Sequence, residues 1–183
     1  MITTKKQLKE CLQYEKERYV LPRFFCLLGF LGISEKSIIW RYQKKLRKYE
    51  YHLNNKHKIR ALLFNVSTNR IGRKYGIHIG PNCFDVGLKI MHLGSILINN
   101  NSKIGKNCIL NINVSFVATG GNSDGPVVGN DCAFGVGSIL VGGISLMDEV
   151  VVGAGAVVTK SFKESHITLG GVPARIISHK ACL

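Results

Sequence analysis

Among the residues able to do chemistry, His92 is marked by its place. Every sixth residue from Val86 to Val158 gives thirteen positions, eleven of them apolar, where a 45% hydrophobic chain would place about six. His92 and Asn122 are the exceptions. A regular sequence tends to break its own rule where a site overrides packing. An imidazole titrates at ~6.5 in ordinary surroundings, so a histidine there could take and return a proton near neutral pH. A structural histidine satisfied within its turn would fill the same place.

The other reactive residues point away from metal and thiol chemistry. Cys11, Cys26, Cys83, Cys108, Cys132 and Cys182 form no C-x-x-C pair and no metal-ligand spacing. Free thiols in a reducing cytoplasm are the expected state. Cys108 and Cys132 fall four residues after Ile104 and Val128, where they can serve as small core hydrophobes. His52, His57, His78, His166 and His179 lie outside the column and read as surface residues.

The elements that must position these residues follow from the column itself. Self-similarity at a six-residue period predicts a parallel β-helix, in which each rung stacks on the last. A second column runs four residues behind the first: Ile90, Ile96, Ser102, Cys108, Val114, Gly120, Pro126, Cys132, Ser138, Ile144, Val150 and Ala156. These mostly compact side chains are also expected to point inward. Glycines follow the large apolar residue at 87, 105, 129, 135 and 153, where Gly or Asn would relieve the turn backbone. The stretch from Ala118 to Pro126 has no apolar residue between its ends and reads as a loop thrown out of the coil at Asn122.

Residues 1–75 have a different character. Thr4 has capping-box spacing to Gln7, and Leu8, Cys11, Leu12 and Tyr19 share a helical face. Ser34 can cap a second helix with Ile38, Tyr42, Leu46, Tyr49 and Leu53 inward and Arg41, Lys44, Lys45, Arg47 and Lys48 on its other face. Ile59, Leu62, Leu63 and Val66 fit a short third helix, and residues 65–76 read as a connector. The expected division is a basic helical region over 1–75, a coil over 76–160 with the loop at 118–126, and a closing segment over 161–183.

Charge follows the same division. The chain carries +14 overall, with 18 Lys+Arg against 5 Asp+Glu in residues 1–75. Such a block suits a solvated helical face, nucleic acid, an anionic membrane or a phosphorylated ligand. The apolar run Phe24 to Ile33 is too short to span a bilayer. Core or subunit burial is its default reading, and a foot on a membrane surface is the alternative. No cleavable signal sequence is read at the start, so the expected location is the cytoplasm, with the inner face of the membrane left open.

The hexads resemble those of the left-handed β-helix acyltransferases of the hexapeptide-repeat superfamily. They are most similar to the serine O-acetyltransferase-like branch, which includes O-acetyltransferases of capsular and exopolysaccharide biosynthesis. Residues 87–99, GLKIMHLGSILIN, resemble that branch's histidine rung. Ile104-Gly-Lys-Asn-Cys108, Val128-Gly-Asn-Asp-Cys132 and Val152-Gly-Ala-Gly-Ala-Val-Val158 resemble its ordinary rungs, and Gly171-Val-Pro-Ala-Arg-Ile-Ile177 its closing motif. The resemblance covers about residues 77–177. It implies a left-handed coil, an acetyl-CoA-dependent O-acetyltransferase, and His92 as general base. It also implies a homotrimer, with paired trimers left open, and acetyl-CoA in a groove between neighbouring coils. Gly135, Gly153 and Ala154 match the cofactor edge, while Lys160 and Arg175 suit its phosphates by charge.

Departures from that branch guide the acceptor. Serine acetyltransferases carry an aspartate directly before the catalytic histidine, where this chain has Met91, and a second histidine in the extended loop, where it has Gly125 or a neighbour. The helical region is about half as long as theirs, and the end, Ala181-Cys182-Leu183, lacks their C-terminal isoleucine. Asp85 and Asp124 are candidates to orient the base or the acceptor. The sequence expectation is a sugar or polysaccharide-precursor hydroxyl as acceptor. Free serine is the alternative within the same chemistry, and a catalytically silent binding module the alternative outside it. Neither metal nor nucleic acid is expected.

Overall fold

Thr4 starts the first helix as its spacing predicts. Its hydroxyl accepts the Gln7 N–H at 3.1 Å, and the Gln7 side chain accepts the Thr4 N–H at 3.0 Å. That capping box opens α1 (Lys5–Glu17) in the computed structural model, which describes residues 1–20, 34–121 and 123–180. The apolar run at 24–33, Asn122, Cys26 and the tail at 181–183 lie outside the described residues.

The second helix, α2 (Glu35–Asn54), buries Ile38, Tyr42 and Leu46, as the three- and four-residue spacing predicts. Its expected cationic surface needs one correction. Arg47 is only 1% exposed. Its guanidinium donates to Glu15 at 2.7 Å and to Glu50 at 2.9 Å. It also donates to the carbonyls of Phe84 and Asp85, at 2.9 and 2.7 Å. Burial opposes the charge, but Glu50 and Glu15 outweigh it and hold the group firmly protonated. A single buried cation therefore ties α1 and α2 to the first turn of the coil.

The third helix is longer than its pattern suggested. α3 (Lys58–Tyr75) takes in nearly all of the segment expected as a connector and ends at Gly76, which is left-handed at φ 76°. Its buried residues are Ala61, Thr68, Ile71 and Gly72, whereas Ile59, Leu62, Leu63 and Val66 face outward. Small residues let the helix lie close against its neighbours. A side chain at Gly72 would run into the Ile77 carbonyl and reach within 3.5 Å of Tyr42. Close approach, not apolar bulk, selects the buried face.

From Ile77 the chain winds as a parallel coil with three faces. One face stacks β1 (Ile77–His78), β3 (Ile96–Ile98), β6 (Val114–Val117), β9 (Ile139–Val141) and β12 (Val157–Val158). The second stacks β4 (Lys103–Ile104), β7 (Val127–Val128) and β10 (Ser145–Leu146). The third stacks β2 (Lys89–Ile90), β5 (Ile109–Leu110), β8 (Ala133–Phe134), β11 (Val151–Val152) and β13 (Thr168–Gly170), closed by the antiparallel β14 (Arg175–Ser178). Tyr19, Trp40, Tyr42 and Ile71 of the helical region join the coil's inward residues in one core.

The coil's register refines the six-residue column. Ile98, Leu110, Phe116, Phe134, Leu140, Val152 and Val158 are fully buried, as expected. Phe134 pairs with Val152 at a spacing of 18 residues, but Leu110 pairs with Phe134 at 24, because the loop at 118–126 adds one hexad and preserves the phase. In the first coil the phase shifts. Leu110 pairs with Ile90, 20 residues earlier, and Ile104 bridges Phe84, also 20 earlier. Phe84 and Ile90 therefore occupy the inward column there, in place of Val86 and His92.

Of the glycines following the apolar column, Gly87 is left-handed at φ 93°, whereas Gly105, Gly129, Gly135 and Gly153 serve stacking rather than turning. A Cβ at Gly105 would lie 2.6 Å from the carbonyl carbon and oxygen of Gly129 in the next coil. Left-handed backbone sits instead before the small inward residue, at Asn107, Asn113, Asp131 and Glu149, with φ between 54° and 61°. Asparagine and aspartate tolerate that conformation better than other side-chain-bearing residues.

Candidate active site

The two-residue excess in the first coil falls at the bend between β2 and β3. Ile90 ends one inward ladder and Ile96 begins the next, leaving residues 91–95 to turn the corner. His92 sits in that bend with its side chain 59% exposed. The sequence placed His92 in an inward column, and the longer corner is what turns it out.

Tyr19, in the turn after α1, and Gln43 of α2 hold this corner in place. The Tyr19 hydroxyl accepts the Ile90 N–H at 2.9 Å and donates to Gln43 at 2.7 Å. Gln43 in turn donates to the Leu88 carbonyl at 2.8 Å. Burial pushes the Tyr19 phenol well above its ordinary range, so it remains a donor. These bonds satisfy the outer edge of β2, which would otherwise be left open.

Glu35 supplies the next contact. It follows Ser34 at the start of α2, where a carboxylate suits the positive end of the helix. One carboxylate oxygen accepts the Leu93 N–H at 2.6 Å, and the other lies 3.4 Å from Nδ1 of His92. The arrangement fixes the bend and lets Nδ1–H point at a carboxylate. Nε2, left without a hydrogen-bond partner among the described residues, can then accept a proton.

Sequence reasoning missed Glu35. An acidic residue in a helix's first turn is ordinary, and Glu35 and His92 stand 57 positions apart. Of the expected orienting carboxylates, Asp85 does not take this place. It accepts its neighbour Val86 N–H at 2.8 Å and lines a cleft of about 870 Å³ under α1, which does not include His92. Asp124 lies on the extended loop with its Cβ against Gly143.

Gly135, Gly153 and Ala154 lie close together. A Cβ at Gly135 would lie 2.6 Å from the Ala154 nitrogen and 2.9 Å from the Gly153 carbonyl carbon. Gly135, Gly153 and Ala154 thus form one corner of bare backbone on the later coils. Lys160 is exposed beside Phe162, its Nζ 5.4 Å from the ring centre, and Arg175 opens β14 on another face. His52, expected at the surface, is instead buried and stacked on Phe64 at 5.3 Å. Among the described residues, no group of three or more His, Cys, Asp or Glu could hold a metal ion.

Solved structures that this chain resembles include several serine acetyltransferases. The one from Brucella abortus gives a TM-score of 0.75 at 18% identity, over 98% of this chain and 72% of that one. The one from Neisseria gonorrhoeae gives 0.71 at 21% identity, over 96% and 70%. The fold is the left-handed β-helix of the serine acetyltransferases.

A further serine acetyltransferase structure, in complex with CoA, gives 0.73 at 20% identity, over 94% of this chain and 71% of that one. In sequence, serine acetyltransferase of Synechococcus elongatus is 30% identical over 160 residues, 86% of this chain and 60% of that protein. Mitochondrial serine acetyltransferase 3 of Arabidopsis thaliana is 28% identical over 126 residues, 67% and 31%. The chain therefore spans less than two thirds of the length of these curated relatives. No protein-family model matches it.

Proposed function

We propose that this chain is an acetyl-CoA-dependent O-acetyltransferase with serine as its acceptor and His92 as its general base. The observation that carries the reading is the His92 imidazole, turned out at the first corner and faced at Nδ1 by Glu35, within the serine acetyltransferase fold. The acceptor hydroxyl attacks the thioester carbonyl while His92 Nε2 takes its proton. The C–S bond then breaks, and the imidazolium returns the proton to the departing thiolate. A positioned base of this kind contributes roughly 10²–10⁴-fold.

The bare corner at Gly135, Gly153 and Ala154 suits close approach of an extended pantetheine arm to backbone. CoA bound to a protein of this fold supports the same donor here. The curated relatives named above are serine acetyltransferases, which favours serine over the sugar acceptor expected from the sequence. Exposed Leu97, Val127, Val136 and Met147 on the coil's outer faces suit burial against further copies, in keeping with a trimer.

A sugar hydroxyl is the second reading, and Met91 favours it. Met91 is 36% exposed directly before His92, where it offers a serine ammonium no charge. The test is acetyl-CoA consumption with serine and with a panel of sugars, by wild type and by His92→Ala. Serine turnover that is lost in His92→Ala is the expected result. Turnover with sugars alone selects the second reading, and turnover unchanged in His92→Ala overturns the base assignment.

A further inference from the structure

The outward face of α3 contributes no residue to the acyl-transfer mechanism proposed above. Ile59, Leu62, Leu63 and Val66 lie at i, i+3, i+4 and i+7, so they form one stripe along the helix's first half, and they are 54–77% exposed. Arg70, Arg73 and Lys74 continue the same face through the second half and are also exposed. Lys58 and Arg60 flank the stripe at its start. Between Glu50 and Asp85 the chain has no Asp or Glu but six Lys and Arg.

α2 adds to this surface. Lys45 reaches the Ser67 hydroxyl of α3, and Lys48 lies 5.4 Å over the Phe64 ring. Burial lowers the Lys45 ammonium, and Arg41, Lys48 and Arg70 lower it further, which places these cations within reach of one another's field. None of them forms an ion pair among the described residues. The surface is thus aliphatic at one end, cationic at the other, and uncompensated.

We propose that this face docks the protein on an anionic lipid bilayer, with Ile59, Leu62, Leu63 and Val66 entering the interface and Arg70, Arg73 and Lys74 meeting lipid phosphates. Buried aliphatic area together with basic residues is what holds an amphipathic helix in an anionic interface. Nucleic acid fits less well, because the stripe offers aliphatics where single strands want aromatic stacking and a duplex backbone wants only charge. A second copy fits less well too. Parallel faces would set cations against cations, and antiparallel pairing of stripe on stripe would leave Arg70, Arg73 and Lys74 of both copies without a counter-charge. No described helix is long and apolar enough to cross a membrane, so the contact is peripheral. The inference is independent of the acyl-transfer reading.

The test is co-sedimentation of the full chain with vesicles of phosphatidylglycerol and phosphatidylcholine, and of phosphatidylcholine alone. Binding to the anionic vesicles and not to the neutral ones is expected. Each basic residue near an anionic surface is worth about 1 kcal/mol, so Arg70→Gln/Arg73→Gln/Lys74→Gln should weaken binding roughly 100-fold. Leu62→Gln/Leu63→Gln should weaken it as well, and Leu63→Trp should show a blue-shifted emission on anionic vesicles. All five replaced positions are exposed, and an unchanged melting temperature checks that the fold is intact. Equal binding to neutral vesicles, or full binding by Leu62→Gln/Leu63→Gln, overturns the proposal. So does a fall in oligomeric state in that variant without vesicle binding, or tighter binding to a DNA duplex than to vesicles.

Discussion

Glu35 reaches from the first turn of α2 to His92 with both of its oxygens committed, one 3.4 Å from Nδ1 and one 2.6 Å from the Leu93 nitrogen. The contact joins the helical region to the corner where the coil carries two extra residues. Glu35→Gln keeps an acceptor for the Leu93 N–H but removes the charge facing the imidazole. Its kcat should fall by roughly 10-fold, the size of effect usual for a charge-assisted hydrogen bond, with KM for acetyl-CoA unchanged. Because Glu35 acts through His92, the same change in a His92→Ala background should have no further effect. An undiminished loss in that background would make Glu35 a structural residue only.

Arg47 makes a comparable link at the other end of the first coil. It holds Glu15 of α1, Glu50 of α2 and the Phe84 and Asp85 carbonyls on one buried guanidinium. Arg47→Met should leave two carboxylates buried without their cation and cost about 3–5 kcal/mol. Urea unfolding measures it. Adding Glu15→Gln and Glu50→Gln should recover part of the loss, since neutral amides are cheaper to bury than unpaired carboxylates.

These two links were not legible in the sequence, and the reason is common to both. Periodicity reports what repeats, and so the coil and the inward ladders from Ile98 onward could be read from spacing alone. Glu35 and Arg47 act once, across long separations, and each looks like an ordinary charge on a helix surface. The first coil shows the same limit. Val86 and His92 fit the six-residue count, yet the true ladder there runs through Phe84 and Ile90, because two extra residues shift the phase. In α3 the apolar spacing was real but pointed outward, since Gly72 and Ala61 select the buried face by close approach.

His52 gives a pH dependence. Burial lowers its pKa below the ordinary value, with His57, Arg60 and Lys48 acting in the same direction. The unfolded chain therefore binds the proton more readily than the folded one. This contribution to stability is fully present above the unfolded value of about 6.5 and is lost as pH falls below it toward the folded value. His52→Phe keeps a ring against Phe64, from which His52 lies 5.3 Å centre to centre, but has no proton to bind. Its urea midpoint should fall less between about pH 7.5 and about pH 5 than that of the wild type. Parallel curves would assign the acid sensitivity elsewhere.

Gly135 separates the two uses of the coil's glycines. Gly135→Ala would set a methyl group 2.6 Å from the Ala154 nitrogen, and Gly105→Ala one 2.6 Å from the Gly129 carbonyl. Each clash is with backbone of the next coil, so neither can be relieved by a side-chain rotation. Both substitutions should destabilise the protein by about 1–3 kcal/mol, the range for overpacking. They should differ in catalysis. If Gly135, Gly153 and Ala154 form the edge against which acetyl-CoA lies, parting those coils raises KM for acetyl-CoA in Gly135→Ala. Gly105 borders the cleft under α1 and is not on that edge, so Gly105→Ala should leave that KM near wild type. Steady-state rates at varied acetyl-CoA, measured well below each variant's melting temperature, distinguish the two. An equal rise in both variants would trace the effect to general loosening of the coil and remove the glycine corner from the donor site.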